Sequence, residues 1–287
     1  MKNILVTGGN GFIGCNLIQR LINDGYTVHS LDNLSSGYVE NEVKGAHYLY
    51  GDISNINTVY EEVDVIFHLA SLSRIQPSFI NPSETFQVNT VGTEKVLEFA
   101  RNRNCKVVYA GSSSRHHNPY QSPYATTKYL GEELCKMYKK TFDMDVDIAR
   151  FYNVYGPHEI VDGDWAAVIG IWRRQIRDNE PLTIVGDGQQ RRDFTHVDDI
   201  VDGLLQILYK ANYTNDTCIT YSQRTTFEWE LGTGVNYSIM DVYNMFFEKF
   251  KVSATLIPNQ KGNYRETLRV NKDAENILKW KPTDRLN

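Results

Sequence analysis

Asn3-Ile4-Leu5-Val6-Thr7-Gly8-Gly9-Asn10-Gly11-Phe12-Ile13-Gly14 decides the architecture. An apolar, strand-forming run passes directly into glycines spaced Gly-xx-Gly-xx-Gly, at positions 8, 11 and 14, and then into the helical pattern of residues 12–24. Glycines alone mark any turn. Strand, glycine loop and helix in register are more specific, because the backbone can turn tightly against a pyrophosphate and the helix start offers free N–H groups and partial positive charge. A dinucleotide is therefore expected on this loop.

Outward from this stretch, short β-branched runs alternate with helical ones. Strands are predicted at 3–7, 27–31, 65–69, 106–109 and 146–149, and helices at 12–24, 85–102 and 124–142. Such alternation means a parallel, doubly wound α/β sheet. The rhythm breaks after Gly156-Pro157. We read residues 1–156 as the dinucleotide-binding domain, with 191–210 returning to it through a helix over 198–209. Residues 157–190 and 211–287 then form a smaller lobe, and the two parts enclose one cleft.

Composition narrows the partners. The net charge of −5 is spread without blocks, which gives nucleic acid no electrostatic footprint. Apolar runs such as Val65-Ile66-Phe67 fall far short of the ~20 residues that span a bilayer. The opening Met1-Lys2 runs straight into the first strand, so a cytoplasmic enzyme with no membrane partner is expected. Cys15, Cys105, Cys135 and Cys218 are isolated and lack metal-ligand spacing, which reads as reduced thiols and no metal site.

Asp32 closes the second predicted strand, where a carboxylate can accept both hydroxyls of an adenosine ribose and repel a 2′-phosphate; this favours NAD over NADP. A plain turn aspartate in Asp32-Asn33-Leu34-Ser35-Ser36-Gly37 is the alternative. Tyr124 and Lys128 stand one helical turn apart in Tyr124-Ala125-Thr126-Thr127-Lys128, and Ser112 follows the strand predicted at 106–109, whose end faces the cleft. A sugar hydroxyl loses hydride only if a base takes its proton, and a free phenol with a pKa of about 10 is a poor base at neutral pH. Lys128 beside Tyr124 favours phenolate, and Ser112 would hold the reacting oxygen. These three are the candidate catalytic residues.

The glycine spacing and the Ser…Tyr-xxx-Lys set resemble the extended short-chain dehydrogenase/reductase superfamily. Arg150-Phe151-Tyr152-Asn153-Val154-Tyr155-Gly156-Pro157 and the stretch Gly186–Asp199, with Arg192 at its centre, look like the nucleotide-sugar epimerase/dehydratase branch, across residues 2–282. The resemblance implies a Rossmann fold holding NAD. It implies cofactor contacts at Gly8, Asn10, Gly11, Phe12, Ile13 and Gly14, at Asp32, Asn33, Ser35, Ser36 and Gly37, and at Asp52 and Ile53. It adds Leu69, Ala70, Ser71, Asn89 and Phe151 to Tyr124 and Lys128. Ser112, Ser114, Asn153, Arg192 and Arg265 are the implied nucleotide-sugar contacts, since an acidic protein binding a diphosphate needs converging Arg forks. Arg192 paired to Asp193 or Asp198 is the competing structural reading. The resemblance also implies a homodimer through helices 85–102 and 124–142.

Two departures from the family pattern stand out. The connection from Ser112 to Tyr124 is short, which suggests a roomy sugar site lined by Ser113, Ser114, His116 and Asn118, unless residues 161–165 fill the gap. The chain also ends soon after Trp280-Lys281-Pro282, without the final helix typical of relatives. Among the family's reactions, dehydration needs an acid–base pair after the serine, decarboxylation a Glu where Ser114 stands, and 3,5-epimerisation a nearby Cys. Ser113-Ser114 supply none of these, so 4-epimerisation of a UDP-hexose or UDP-N-acetylhexosamine is the first expectation. A 4,6-dehydratase, a GDP-sugar epimerase and an NAD-binding sensor are the alternatives.

Overall fold

The computed structural model describes residues 2–59, 61–210 and 226–286; Cys218 lies outside them. In chain order the elements of the first half are β1 (Asn3–Thr7), α1 (Phe12–Asn23), β2 (Thr27–Asp32), β3 (His47–Tyr50), β4 (Val65–His68), α2 (Ile75–Ile80), α3 (Pro82–Phe86), α4 (Gly92–Arg103), β5 (Lys106–Ser112), α5 (Pro123–Phe142) and β6 (Val146–Phe151). There follow β7 (Val154–Tyr155), α6 (Val168–Arg177), β8 (Leu182–Val185), β9 (Arg191–Asp193), β10 (Thr195–His196), α7 (Val197–Lys210), β11 (Glu228–Leu231), β12 (Asn236–Ser238), α8 (Ile239–Phe250), β13 (Ala254–Ile257) and α9 (Asp273–Leu278).

The main sheet runs β3-β2-β1-β4-β5-β6-β11, and every pairing in it is parallel. Both of its faces are covered, which is why β4 and β5 are buried along their whole length. Side chains alternate between two cores: Ile4, Val6, Val65 and Phe67 pack with α1, α7 and α9, whereas Leu5, Ile66 and Val107 pack with α4 and α5. The strand order turns outward on either side of β1 and β4, and the cleft opens at the carboxyl ends of these strands.

The smaller lobe has its own core of Trp172, Leu182, Ile184, Phe194, Ile239 and Val242 between α6, β8 and α8. The expected boundary needs correcting at two places. Residues 228–231 form the seventh strand of the main sheet, and residues 273–280 pack into its core through Ala274, Leu278 and Trp280, so neither stretch belongs to the lobe. Trp280 donates to the Asp199 carbonyl at 2.7 Å, and Arg285 pairs with Asp198 and Asp199 at 2.7 and 3.0 Å, which fastens the C-terminal stretch to the start of α7.

The helix expected over 85–102 is longer and not uniform. It starts at Pro82, and a turn of π-helix over Gln87–Val91 joins α3 to α4. Wide turns of this kind recur beside functional sites, and this one carries Asn89. Among the described residues, no helix is long and apolar enough to cross a membrane.

Candidate active site

The phosphate loop is packed too tightly to admit side chains. A Cβ on Gly14 would lie 2.1 Å from the Gly8 carbonyl oxygen, and one on Gly8, whose φ is +75°, would lie 2.8 Å from the Ala70 amide nitrogen. No side chain caps the start of α1, so its first amides at Phe12 and Ile13 remain available to an anion. Asp32, buried at the end of β2, accepts from the amides of Asn10 at 2.9 Å and Leu34 at 2.8 Å. Burial raises its carboxyl above the ordinary range while those two amides oppose the shift. Asp52 accepts from Asn33 Nδ2 and the Ser54 amide, both at 2.8 Å, which orders the turn beside Asp32.

At the other side of the cleft the sequence positions the candidate catalytic residues through two elements. β5 is buried to its last residue, Ser112, and α5 starts with Ser122 accepting from the Ala125 amide at 3.1 Å and Pro123 in the first turn. That start places Tyr124 over the strand end, where its hydroxyl donates to Ser112 Oγ at 3.2 Å. One turn on, Lys128 is 4% exposed; its Nζ donates to the Ala110 carbonyl at 2.6 Å and lies 4.7 Å from the Tyr109 ring centre. Burial lowers the Lys128 ammonium to about 8, with Glu132 opposing. Burial also raises the Tyr124 phenol, against the bond from Ser112 and the charge of Arg74.

The same cleft, about 670 Å³ in volume, continues toward the lobe past Asn153, Arg192, Tyr264 and Thr267. Asn153, held at φ +27°, donates from Nδ2 to the Asp193 carbonyl at 3.1 Å and to Thr267 Oγ1 at 2.9 Å. Arg192 does not pair with Asp193 or Asp198. Asp193 instead accepts from Thr233, Gly234 and Arg269, and Asp198 pairs with Arg285. The guanidinium contacts the Arg191 carbonyl at 2.8 Å, and burial lowers it to about 10. A half-buried cation on a cleft wall, destabilised by lost water, is suited to a phosphate.

The geometry is matched by kinship. Residues 4–217 fit the NAD dependent epimerase/dehydratase family. The chain belongs to that family. It is 31% identical to the UDP-glucose 4-epimerase of Mycolicibacterium smegmatis over 97% of this chain and 93% of the relative. The crystal structure of a UDP-glucose 4-epimerase from Thermotoga maritima, with UDP-glucose, is similar at a TM-score of 0.87 and 26% identity, over 99% of this chain and 94% of that one. A UDP-N-acetylglucosamine 4-epimerase from Methanobrevibacter ruminantium, in complex with UDP-N-acetylmuramic acid, gives 0.85 and 25% over the same shares.

Within this epimerase/dehydratase frame, most of the expected residues meet in one cleft. Gly8, Gly11, Phe12, Ile13 and Gly14 line it with Asp32, Asn33, Ser35, Ser36, Asp52 and Ile53, then Leu69, Ala70, Ser71 and Phe151, and finally Ser112, Ser114, Tyr124 and Lys128. Four do not take the expected place. Asn10 and Gly37 lie behind the loop: Asn10 is buried under Asp32, and Gly37 packs on the Asn10 backbone. Asn89 faces the protein, accepting from the Leu72 amide at 2.8 Å and donating to the Leu72 carbonyl at 3.0 Å and Thr127 Oγ1 at 3.2 Å; it ties the loop after β4 to α5. Arg265 points to solvent and pairs with Asp187 at 3.1 Å, because the inward positions of its extended segment belong to Tyr264 and Thr267.

The short connection also behaves differently from expectation. Ser113 and Ser114 reach the cleft, but His116 bonds Glu230 at 2.9 Å and Asn118 accepts from the Tyr120 amide at 3.0 Å. Tyr264 stacks on His117 with ring centres 4.0 Å apart, and Gly163 and Asp164 line the cleft from the lobe, so neighbours occupy part of the space the short connection leaves. Arg74 and Tyr264 are among the cleft residues that motif reading missed. Position was the usable signal for Arg74, since it follows β4, and the loops after parallel strands face the site.

Proposed function

We propose that this chain interconverts the C4 epimers of a UDP-hexose or UDP-N-acetylhexosamine through a transient 4-keto sugar, using NAD. The observation that carries the reading is the Tyr124–Ser112 contact at the end of β5, followed by Ser113 and Ser114 with no acid or thiol on that stretch. The glycine loop, the α1 start and Asp32 would hold NAD, which supplies a hydride acceptor and donor at the sugar. Removing C4 hydrogen as hydride requires the C4 hydroxyl to give up its proton. Tyr124 is the base, Ser112 Oγ keeps the oxygen in line, and Lys128 lends positive charge. Returning hydride to the opposite face of the ketone, with the proton coming back from Tyr124, inverts the centre. Asn153 and Arg192, which pairs with no carboxylate among the described residues, would take the diphosphate.

The test is to follow anomeric NMR signals of UDP-glucose, UDP-N-acetylglucosamine and GDP-mannose with NAD, and with NADP as a parallel arm. Inversion of a UDP-sugar with NAD is expected. A 4-keto-6-deoxy product would install the dehydratase reading, turnover of GDP-mannose alone would replace UDP, equal support by NADP would remove Asp32 as selector, and bound NAD without turnover would favour a sensor.

We also propose a homodimer through α3, α4 and α5. Ile80, just before α3, Phe86 and, on α5, Met137 and Phe142 expose apolar surface, between 41% and 73% of each residue. Light scattering should return twice the chain mass, and a monomer at working concentration would reject the interface.

A further inference from the structure

Among the described residues the cations that line the cleft are Lys128, Arg192 and Arg74. Lys128 stands beside Tyr124 as its partner in proton transfer, and Arg192 belongs with Asn153 to the diphosphate end. That leaves Arg74, for which a neutral hexose offers no negative charge. Local structure does not account for it. Arg74 stands at the start of α2, where the helix end is itself positive and disfavours a cation. It pairs with no carboxylate among the described residues, since Glu159, whose charge reaches it, is held by Arg173 at 2.7 Å. Burial lowers the guanidinium below its ordinary value. Its Nε donates to the Trp165 carbonyl at 2.6 Å, and its two terminal nitrogens bond nothing among the described residues. One helical turn on, Ser78 Oγ accepts from the Tyr124 amide at 3.1 Å and donates to the Ile75 carbonyl at 2.6 Å. The start of α2 is thereby tied to the residue that faces Ser112, at the sugar end of the cleft.

We propose that Arg74 recognises a carboxylate carried by the sugar itself, and that the preferred substrate is a UDP-hexuronic acid. The inference rests on the nucleotide-sugar reading above and narrows it to acidic sugars. Tyr124 and Ser112 take the C4 oxygen, and the neighbouring ring carbon, C5, is the one that bears the carboxylate of a uronic acid. With Nε committed to Trp165, the terminal nitrogens present an end-on fork of N–H groups, which matches the two oxygens of a carboxylate. The hydroxymethyl group of a neutral hexose supplies one oxygen and no charge, and leaves the desolvated cation uncompensated. The Trp165 carbonyl orients the fork before substrate arrives, which favours a planar anion over a point contact.

The experiment measures binding by calorimetry on the NAD-loaded Tyr124→Phe protein, with UDP-glucuronate and UDP-glucose as the two titrants, and repeats it with Arg74→Gln or Arg74→Lys added. UDP-glucuronate is expected to bind at least ~10-fold more tightly than UDP-glucose, the scale of a charge-assisted contact. Arg74→Gln should abolish that preference, and Arg74→Lys, which keeps the charge but not the fork, should retain part of it. Equal binding of the two sugars before Arg74 is changed overturns the proposal, and so does a preference that survives in Arg74→Gln. Weaker NAD binding in Arg74→Gln, with the preference intact, would assign the guanidinium to the cofactor and also overturn it. C4 inversion is followed by NMR on the wild type alongside: tight UDP-glucuronate binding without inversion would sink the epimerase reading and leave the role of Arg74 standing.

Discussion

Tyr124→Phe is expected to keep NAD bound and to lower turnover at least ~100-fold, the scale for losing a general base. The substitution removes one oxygen and leaves the ring, so the packing between α5 and α2 persists. What disappears is the group that donates to Ser112 at 3.2 Å, at the point where a sugar hydroxyl would give up its proton. Lys128, one turn on, is already bonded to the Ala110 carbonyl, and among the described residues the partners of Ser112 Oγ are Tyr124 and the Ser114 amide, neither of which could serve as a base in the variant. Steady-state rates by NMR and NAD affinity by calorimetry check this. A variant that keeps a tenth of the wild-type rate would remove Tyr124 from the reaction, and lost NAD binding would make the change structural.

Arg150→Met is expected to cost about 3–5 kcal/mol of folding stability, the range for leaving a buried partner charge uncompensated. Arg150 leaves β6 opposite Gly111 of β5 and holds Glu132 of α5 at 2.8 Å, Glu230 of β11 at 2.8 Å and Glu228 of the same strand. Glu132 and Glu230 are each 1% exposed. His116 and Arg115 lie at 2.9 and 3.6 Å from these two carboxylates and cannot replace a fork that bonds both strands and the helix at once. In the wild type the bonds from His116, Tyr152 and Arg150 outweigh burial and hold the Glu230 carboxyl below its ordinary range. Its stabilising contribution is therefore present above the unfolded carboxyl pKa and fades as pH falls through the lower folded value. In the variant Glu230 loses that support and burial would instead raise it, so the deficit should shrink as pH drops from neutral toward the carboxyl range. Denaturant midpoints at neutral and mildly acidic pH measure both effects. A loss below about 1 kcal/mol, on the scale of an exposed pair, would show that the cluster is solvated.

This network also shows why parts of the molecule escaped sequence reading. The first strands were legible because apolar runs ended on glycines that only a close backbone approach requires, and Tyr124 with Lys128 followed from helical spacing and the position of Ser112. Glu228-Trp229-Glu230-Leu231 carries no such signal, since acids alternating with apolar residues suggest a solvated strand. Only the register that sets Glu230 opposite Arg150 makes it part of the main sheet. Arg265 misled for the converse reason: a motif names a residue type, whereas an extended segment fixes which side it faces. Arg74 has no motif at all, and its place is set by a contact made across the fold, to the Trp165 carbonyl.

The seventh strand has a consequence for how the chain is made. Residues 3–151 contain Ser112, Tyr124 and Lys128 and six of the seven parallel strands, yet β6 has an open edge until residues 228–231 emerge from synthesis to pair with it. Through that interval Arg150 has Glu132 but neither acid of β11, and Trp229 is missing from the core it fills. The nascent N-terminal sheet therefore has an unsatisfied margin at the strand next to Ser112, and closing that margin late in translation is what completes the sheet that carries the candidate site.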